Sequence, residues 1–298
     1  MKESYFNLDV NASLFTELAM NPEWWKILKN DSDLYVNIRK SNRINVYYRG
    51  ASIMNLTHSP QKGFESVIHN YYLGVDKEIA ERLGIQYGEI KMPPQDIISR
   101  LKTIKYRVRS NNKYEARVEE KEDEKESYSE KYMQSKMYLN KDDHYIDTEF
   151  ELSLDDGTQI RIDLVKIDNA GNVQFVELKR VQDNRLITSK EKPAEIITQM
   201  DNYQRFLEEA NCLSSQLGKN VIAEYYRKVL IIMEKIGLEP PVGNKDIMGL
   251  ADTVKLFITN YEKKGSKRFN RLQLIRDICV NYDTNIDDVI ESYCKLQK

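Results

Sequence analysis

The stretch "NVQFVELKR" (residues 172–180) decides the reading of this chain. Its valines and phenylalanine suit a strand. Side chains on a strand alternate between faces with period two, so Val173, Phe175, Glu177 and Lys179 project from one face. A Glu and a Lys on the same face as apolar residues admit two readings. One is the solvated end of an edge strand, with a surface ion pair worth under about 1 kcal/mol. The other is a site, and the flanking sequence decides between them.

Upstream, "YIDTEFELSL" (145–154) alternates, with Ile146, Phe150, Leu152 and Leu154 on one face and Asp147, Glu149, Glu151 and Ser153 on the other. "DDG" (155–157) predicts a hairpin turn with a glycine in the left-handed position. "TQIRIDLVKI" (158–167) is a second strand, with Arg161 and Asp163 on its polar face, and "DNAG" (168–171) turns the chain into the third. Before the strands, "SYSEKYMQSKMYL" (127–139) reads as a helix. After them, "PAEIITQMDNYQRFLEEA" (193–210) carries Ile196, Met200, Tyr203 and Leu207 at helical spacing. The apolar run "KVLIIMEKI" (228–236) predicts a strand inside the sheet, and "TVKLFITNY" (253–261) a further one. The order is helix, three strands, helix, strand: an α/β chain of mixed α+β type. If the second and third strands pair, Asp163, Glu177 and Lys179 converge. Two carboxylates beside an ammonium suit a divalent cation, which polarises a phosphate and lowers the pKa of a bound water.

This pattern resembles the PD-(D/E)XK nuclease superfamily. "IDLV" with Asp163 and "VELK" with Glu177 and Lys179 carry the resemblance, and Gln199 and Tyr203 stand as the Gln-x-x-x-Tyr of RecB-type nuclease domains. It covers roughly residues 128–236. It implies a restriction-endonuclease-like αβββαβ core that hydrolyses DNA, with Mg²⁺ or Mn²⁺ as cofactor. By similarity, Asp163 and Glu177 bind the metal and Lys179 serves the attacking water. Gln199 and Tyr203 position Lys179 or a phosphate. The glycine that often precedes the family's aspartate is missing from "QIRIDLV". Counting back through the turn places Glu149 opposite Asp163, as a further ligand or a supporting group. Glu130 stands on the helix where the family often has an acidic residue, with Glu126 its rival. The alternative is a silent nuclease fold that binds nucleic acid or protein.

Residues 1–118 form an additional mixed α/β domain: helices over 1–30, a strand meander over 33–56, a helix over 63–84 and another after Pro93-Pro94. The nuclease-like domain takes 119–298, closed by helices over 270–282 and 286–296. Trp24 and Trp25 are expected in the core and domain interface, with stacking on bases as the alternative. The net charge of −2 hides clusters. Residues 100–117 hold seven basic residues and one acid, and 263–276 hold six and none. Between them runs "EEKEDEKE" (119–126). Lys263, Lys264, Lys267 and Arg268 are the candidate phosphate contacts. Three cysteines without a CxxC pair, and three histidines, argue against zinc and for oxygen ligands in a reducing cytoplasm. No apolar run is long enough for a membrane span, and the N-terminal region leaves room for a homodimer contact.

Overall fold

The structure, a computed structural model, describes residues 1–111, 116–117, 127–186, 194–243, 246–259 and 290–292. It is mixed α/β and divides into two compact units. One comprises Asn7–Leu139 with Arg227–Asn244; the other comprises Met1–Phe6, Asn140–Tyr226 and Lys245–Lys298. The first unit runs unbroken to Leu139, and a later segment, Arg227–Asn244, returns to it.

The first unit opens with helices α1 (Ser13–Ala19) and α2 (Glu23–Lys29). An antiparallel meander follows: β1 (Leu34–Arg39), β2 (Arg43–Tyr48), β3 (Ala51–Ser59), β4 (Gly63–His69) and β5 (Glu89–Met92), adjacent in that order. Helix α3 (Lys77–Leu83) joins β4 to β5. Then come α4 (Pro94–Ser99), α5 (Leu101–Arg109), the short strands β6 (Ala116–Arg117) and β7 (Ser127–Tyr128), and α6 (Glu130–Leu139). The helix expected over 63–84 is therefore confined to α3. Residues 63–67 pair with β3, from Ser59↔Gly63 to Asn55↔Val67, and the strand buries Ser66 and Ile68 at period two. Ladder pairing overrides a weak helical pattern.

Trp25 is fully buried and its indole N–H donates to the Ile236 carbonyl at 2.9 Å. Trp24 packs edge-on against Phe64. Part of the basic run 100–117 is neutralised within the unit. Lys105 bridges Asp31 at 2.6 Å and Asp33 at 2.8 Å, and Arg107 pairs with Asp76 while lying over the Tyr71 ring.

The second unit is built on β8 (Tyr145–Ser153), β9 (Gln159–Ile167), β10 (Asn172–Arg180), β11 (Gly249–Leu250), β12 (Lys255–Thr259) and β13 (Ile290–Ser292). The order across the sheet is β13-β12-β10-β9-β8, with β11 also beside β10. The pairs β8–β9 and β9–β10 are antiparallel, whereas β12 runs parallel to β10 and β13 parallel to β12. A parallel neighbour needs a long crossover, and α7 (Glu195–Leu217) and α8 (Val221–Lys235) lie between β10 and β12 in the chain. The rings of Phe150 and Phe175 meet Phe206 of α7, with centroids 5.5 and 5.1 Å away.

Two expectations fail here. The strand predicted over 228–236 is the second half of α8 and the residue after it. A short apolar run fits a buried helix as well as a strand. Buried Ile222, Tyr226, Val229, Leu230, Met233 and Ile236 recur at three- and four-residue spacing. The central strand beside β10 is β12, inside the predicted stretch 253–261. Residues 290–292, expected in a helix, are β13. Lys263, Lys264, Lys267 and Arg268, the acidic run 119–126 and the expected helix 270–282 lie outside the described residues. Among the described residues no helix is long and apolar enough to cross a membrane.

Candidate functional site

The ladder between β9 and β10 runs from Val173↔Ile167 to Val176↔Leu164. Continued by one step, the register sets Asp163 opposite Glu177. There the side chain replaces the backbone acceptor: Asp163 Oδ2 accepts the Leu178 N–H at 2.9 Å. Lys179 Nζ donates to Glu177 Oε1 and to the Leu178 carbonyl at 2.9 Å, and lies 3.5 Å from Asp163 Oδ2. Both carboxylates are within ion-pair reach of one nitrogen, so their nearest oxygens are less than about 8 Å apart.

Helix α7 closes the cluster. Gln199 Nε2 donates to Glu177 Oε1 at 2.7 Å and to Tyr203 Oη at 2.6 Å. Tyr203 Oη also meets the Arg161 carbonyl, and Glu177 Oε2 at 2.9 Å. A phenol has one proton for these two acceptors. A proton on Glu177 resolves the shortage. The surroundings favour one: burial, and then the charge of Asp163, push the Glu177 carboxyl up to about 8 against the pull of Lys179. Burial and the neighbouring Glu177 likewise raise Tyr203, which stays a phenol. Glu177 and Lys179 are each 2% exposed. Their β12 partners, Leu256 and Ile258, belong to an apolar cluster with Val181, Ile196 and Ile197.

The raised Glu177 pKa has a thermodynamic consequence. Between about 4.5, its ordinary value, and about 8, the folded chain holds a proton that the unfolded chain has lost. Stability falls with rising pH wherever the native state binds more protons. The protein freed of metal by chelator is therefore expected to lose melting temperature from pH 5 to pH 8. Glu177→Gln should flatten this slope, as read by thermal melts across that range. An equally steep slope in the variant would remove Glu177 as its source.

Glu149 is bracketed by Thr148↔Leu164 and Phe150↔Ile162, so it falls opposite Asp163 as counted. Its backbone is left-handed, with φ 54°. Its carboxylate pairs with the Arg161 guanidinium, at 2.7 Å from Nε. With Arg161 largely exposed, such a pair contributes at most about 1 kcal/mol. A non-glycine residue in the left-handed region costs about 1–3 kcal/mol. Glu130 is the first residue of α6, in the other compact unit. Asp147, expected on a polar face, is buried, accepting from the Thr148 N–H at 2.8 Å and from the Tyr226 hydroxyl at 3.1 Å.

Asp183 lies just past the end of β10. Burial would raise its carboxyl, but hydrogen bonds from Arg185, with the charges of Arg185 and Lys179, hold it below the ordinary range. Among the described residues no group of three or more His, Cys, Asp or Glu is arranged to hold a metal ion. The cluster offers two carboxylates.

Gln199 is half-buried and both its amide hydrogens have acceptors in the cluster. Gln199→Ala is expected to lower melting temperature modestly, about 1 kcal/mol for the bonds lost, and to reduce any cleavage activity by a larger factor. Equal free-energy losses in melts and in kcat/KM would make Gln199 structural only. Compared with known protein families, characterised proteins and solved structures, the chain gives no match.

Proposed function

We propose that this chain is a divalent-metal-dependent nuclease of PD-(D/E)XK type that hydrolyses DNA phosphodiester bonds. One observation carries the reading: Asp163 and Glu177, on neighbouring strands, share the Lys179 ammonium while Gln199 and Tyr203 meet the same Glu177 carboxylate. A surface pair would need none of this. The donor set fits Mg²⁺ or Mn²⁺, since hard cations take oxygen ligands and Mg²⁺ commonly keeps waters alongside one or two carboxylates. A bound cation supplies a polarised phosphate and a water of lowered pKa.

The chain's own residues do the rest. Asp163 and Glu177 are the protein ligands. Tyr203 and Gln199 fix the Glu177 carboxylate by hydrogen bonds, so little reorganisation is needed when charge develops. Lys179, its ammonium beside both carboxylates, orients the attacking water. Water gives up a proton as it adds to phosphorus, the bond to the leaving oxygen breaks, and that oxygen takes up a proton.

A second reading has its own support. Glu177 and Lys179 are almost wholly buried, which suits a silent fold in which Lys179 is a permanent counter-ion. The two part in a cleavage assay with Mg²⁺ or Mn²⁺ on linear, circular, single-stranded and branched DNA. Cleavage abolished by chelator supports the nuclease. No cleavage of any substrate, with DNA or a protein still bound, supports the silent fold.

A further inference from the structure

The carboxylate cluster is turned in on itself. Lys179 is buried, and its ammonium faces Glu177, Asp163 and the Leu178 carbonyl. A carboxylate pair also repels phosphate. A nucleic-acid strand therefore needs a cation of the protein at the rim of the cluster.

Arg161 occupies such a position. It precedes Asp163 by two residues on β9, so the two side chains share a face about 6.6 Å apart along the strand. Its own carbonyl accepts from Tyr203, which ties its backbone to the cluster. Its side chain is 63% exposed, whereas that of Glu149 is 10% exposed. Glu149 Oε2 engages Nε and Nη2 of the guanidinium. The Nη1 edge has no protein partner among the described residues. A guanidinium held along one edge presents the other as a fork, the geometry that receives a phosphate. The left-handed backbone of Glu149 accompanies a carboxylate directed at Arg161.

We propose that Arg161 takes a backbone phosphate of the DNA strand beside the Asp163–Glu177 centre, and that Glu149 is a positioning residue that holds the guanidinium for it. The proposal rests on the nuclease reading and names a residue by which that site would hold its substrate. Phosphate contacts fix register without reading sequence, so the preference would be for a strand of any sequence.

The test is binding of a short labelled linear DNA by fluorescence anisotropy in chelator over a range of salt, with steady-state cleavage in Mg²⁺ alongside. Arg161→Met is expected to weaken binding about 10-fold or more, the effect of losing a charge-assisted hydrogen bond. Its salt slope should fall by about 0.9, one phosphate contact. KM should rise with kcat nearly unchanged. Arg161→Lys keeps the charge and should keep the slope while losing affinity. Glu149→Ala should keep the slope and raise KM severalfold. Wild-type protein that binds and cuts, with Arg161→Met unchanged in affinity and slope, overturns the assignment and leaves the nuclease reading standing. Glu149→Ala with wild-type KM overturns the positioning role. Wild-type protein that neither binds nor cuts overturns the nuclease reading and this one with it.

Discussion

Asp163→Asn is expected to leave the fold intact and to lower metal-dependent DNA cleavage by at least about 100-fold, the loss of several kcal/mol of charge stabilisation. The shape is kept, and the amide oxygen can still accept the Leu178 N–H that Asp163 accepts at 2.9 Å. What disappears is the negative charge of Asp163 beside Lys179. In the proposed nuclease that charge is one of the anionic metal ligands, so metal affinity should fall too. DNA binding in chelator should hold or improve, because removing a negative charge lessens repulsion of phosphate. Cleavage rates, circular dichroism and anisotropy on one preparation check all three. Cleavage within a few-fold of wild type would take Asp163 out of the chemistry.

Lys179→Met separates stability from chemistry in another way. Removing one partner of a buried ion pair costs about 3–5 kcal/mol because the other charge is stranded. Here the stranded group has an escape. Burial and the Asp163 charge already raise the Glu177 carboxyl, and losing the Lys179 ammonium removes an influence that lowers it. Protonated Glu177 costs little to bury. The destabilisation should therefore be small near pH 5 and grow towards its full size above pH 8. Cleavage should fall by about 100-fold or more at every pH, since a positioned proton donor or water-orienting group contributes that much. Melts and rates measured over the same pH range test the pair. A pH-independent loss of stability would contradict a proton-accepting Glu177.

The core of the second unit was legible because its signals are local. The alternation of β8 and β9, the DDG turn with Gly157 at φ 87° and the close of β10 at Arg180 each depend on neighbours in sequence. Gln199 and Tyr203 follow from helical spacing, one turn apart on the face that meets β10. Other features depend on partners far along the chain. Residues 228–236 are apolar enough for either element, and the length of α8 decides. Residues 63–69 become a strand because β3 offers a ladder. Asp147 is buried because Tyr226, 79 positions away, donates to it. Glu149 illustrates the finest limit. Its register was countable, but its left-handed backbone and pairing with Arg161 were not, because nothing in "DTEFEL" marks a residue that leaves the extended region.

In the proposed nuclease Asp163 and Glu177 hold one divalent cation, and the buried Glu177 carboxyl, raised above the ordinary range, gives up its proton to do so. Ligands must be deprotonated to bind, so metal uptake releases protons. The direct measurement is calorimetric titration of the metal-free protein with Mn²⁺ at pH 7, in two buffers of different ionisation enthalpy. The nuclease reading predicts saturable binding, a heat that differs between buffers because metal displaces a proton from the raised Glu177 carboxyl, and loss of binding in Asp163→Asn. Absence of binding, or binding unchanged in Asp163→Asn, would contradict it.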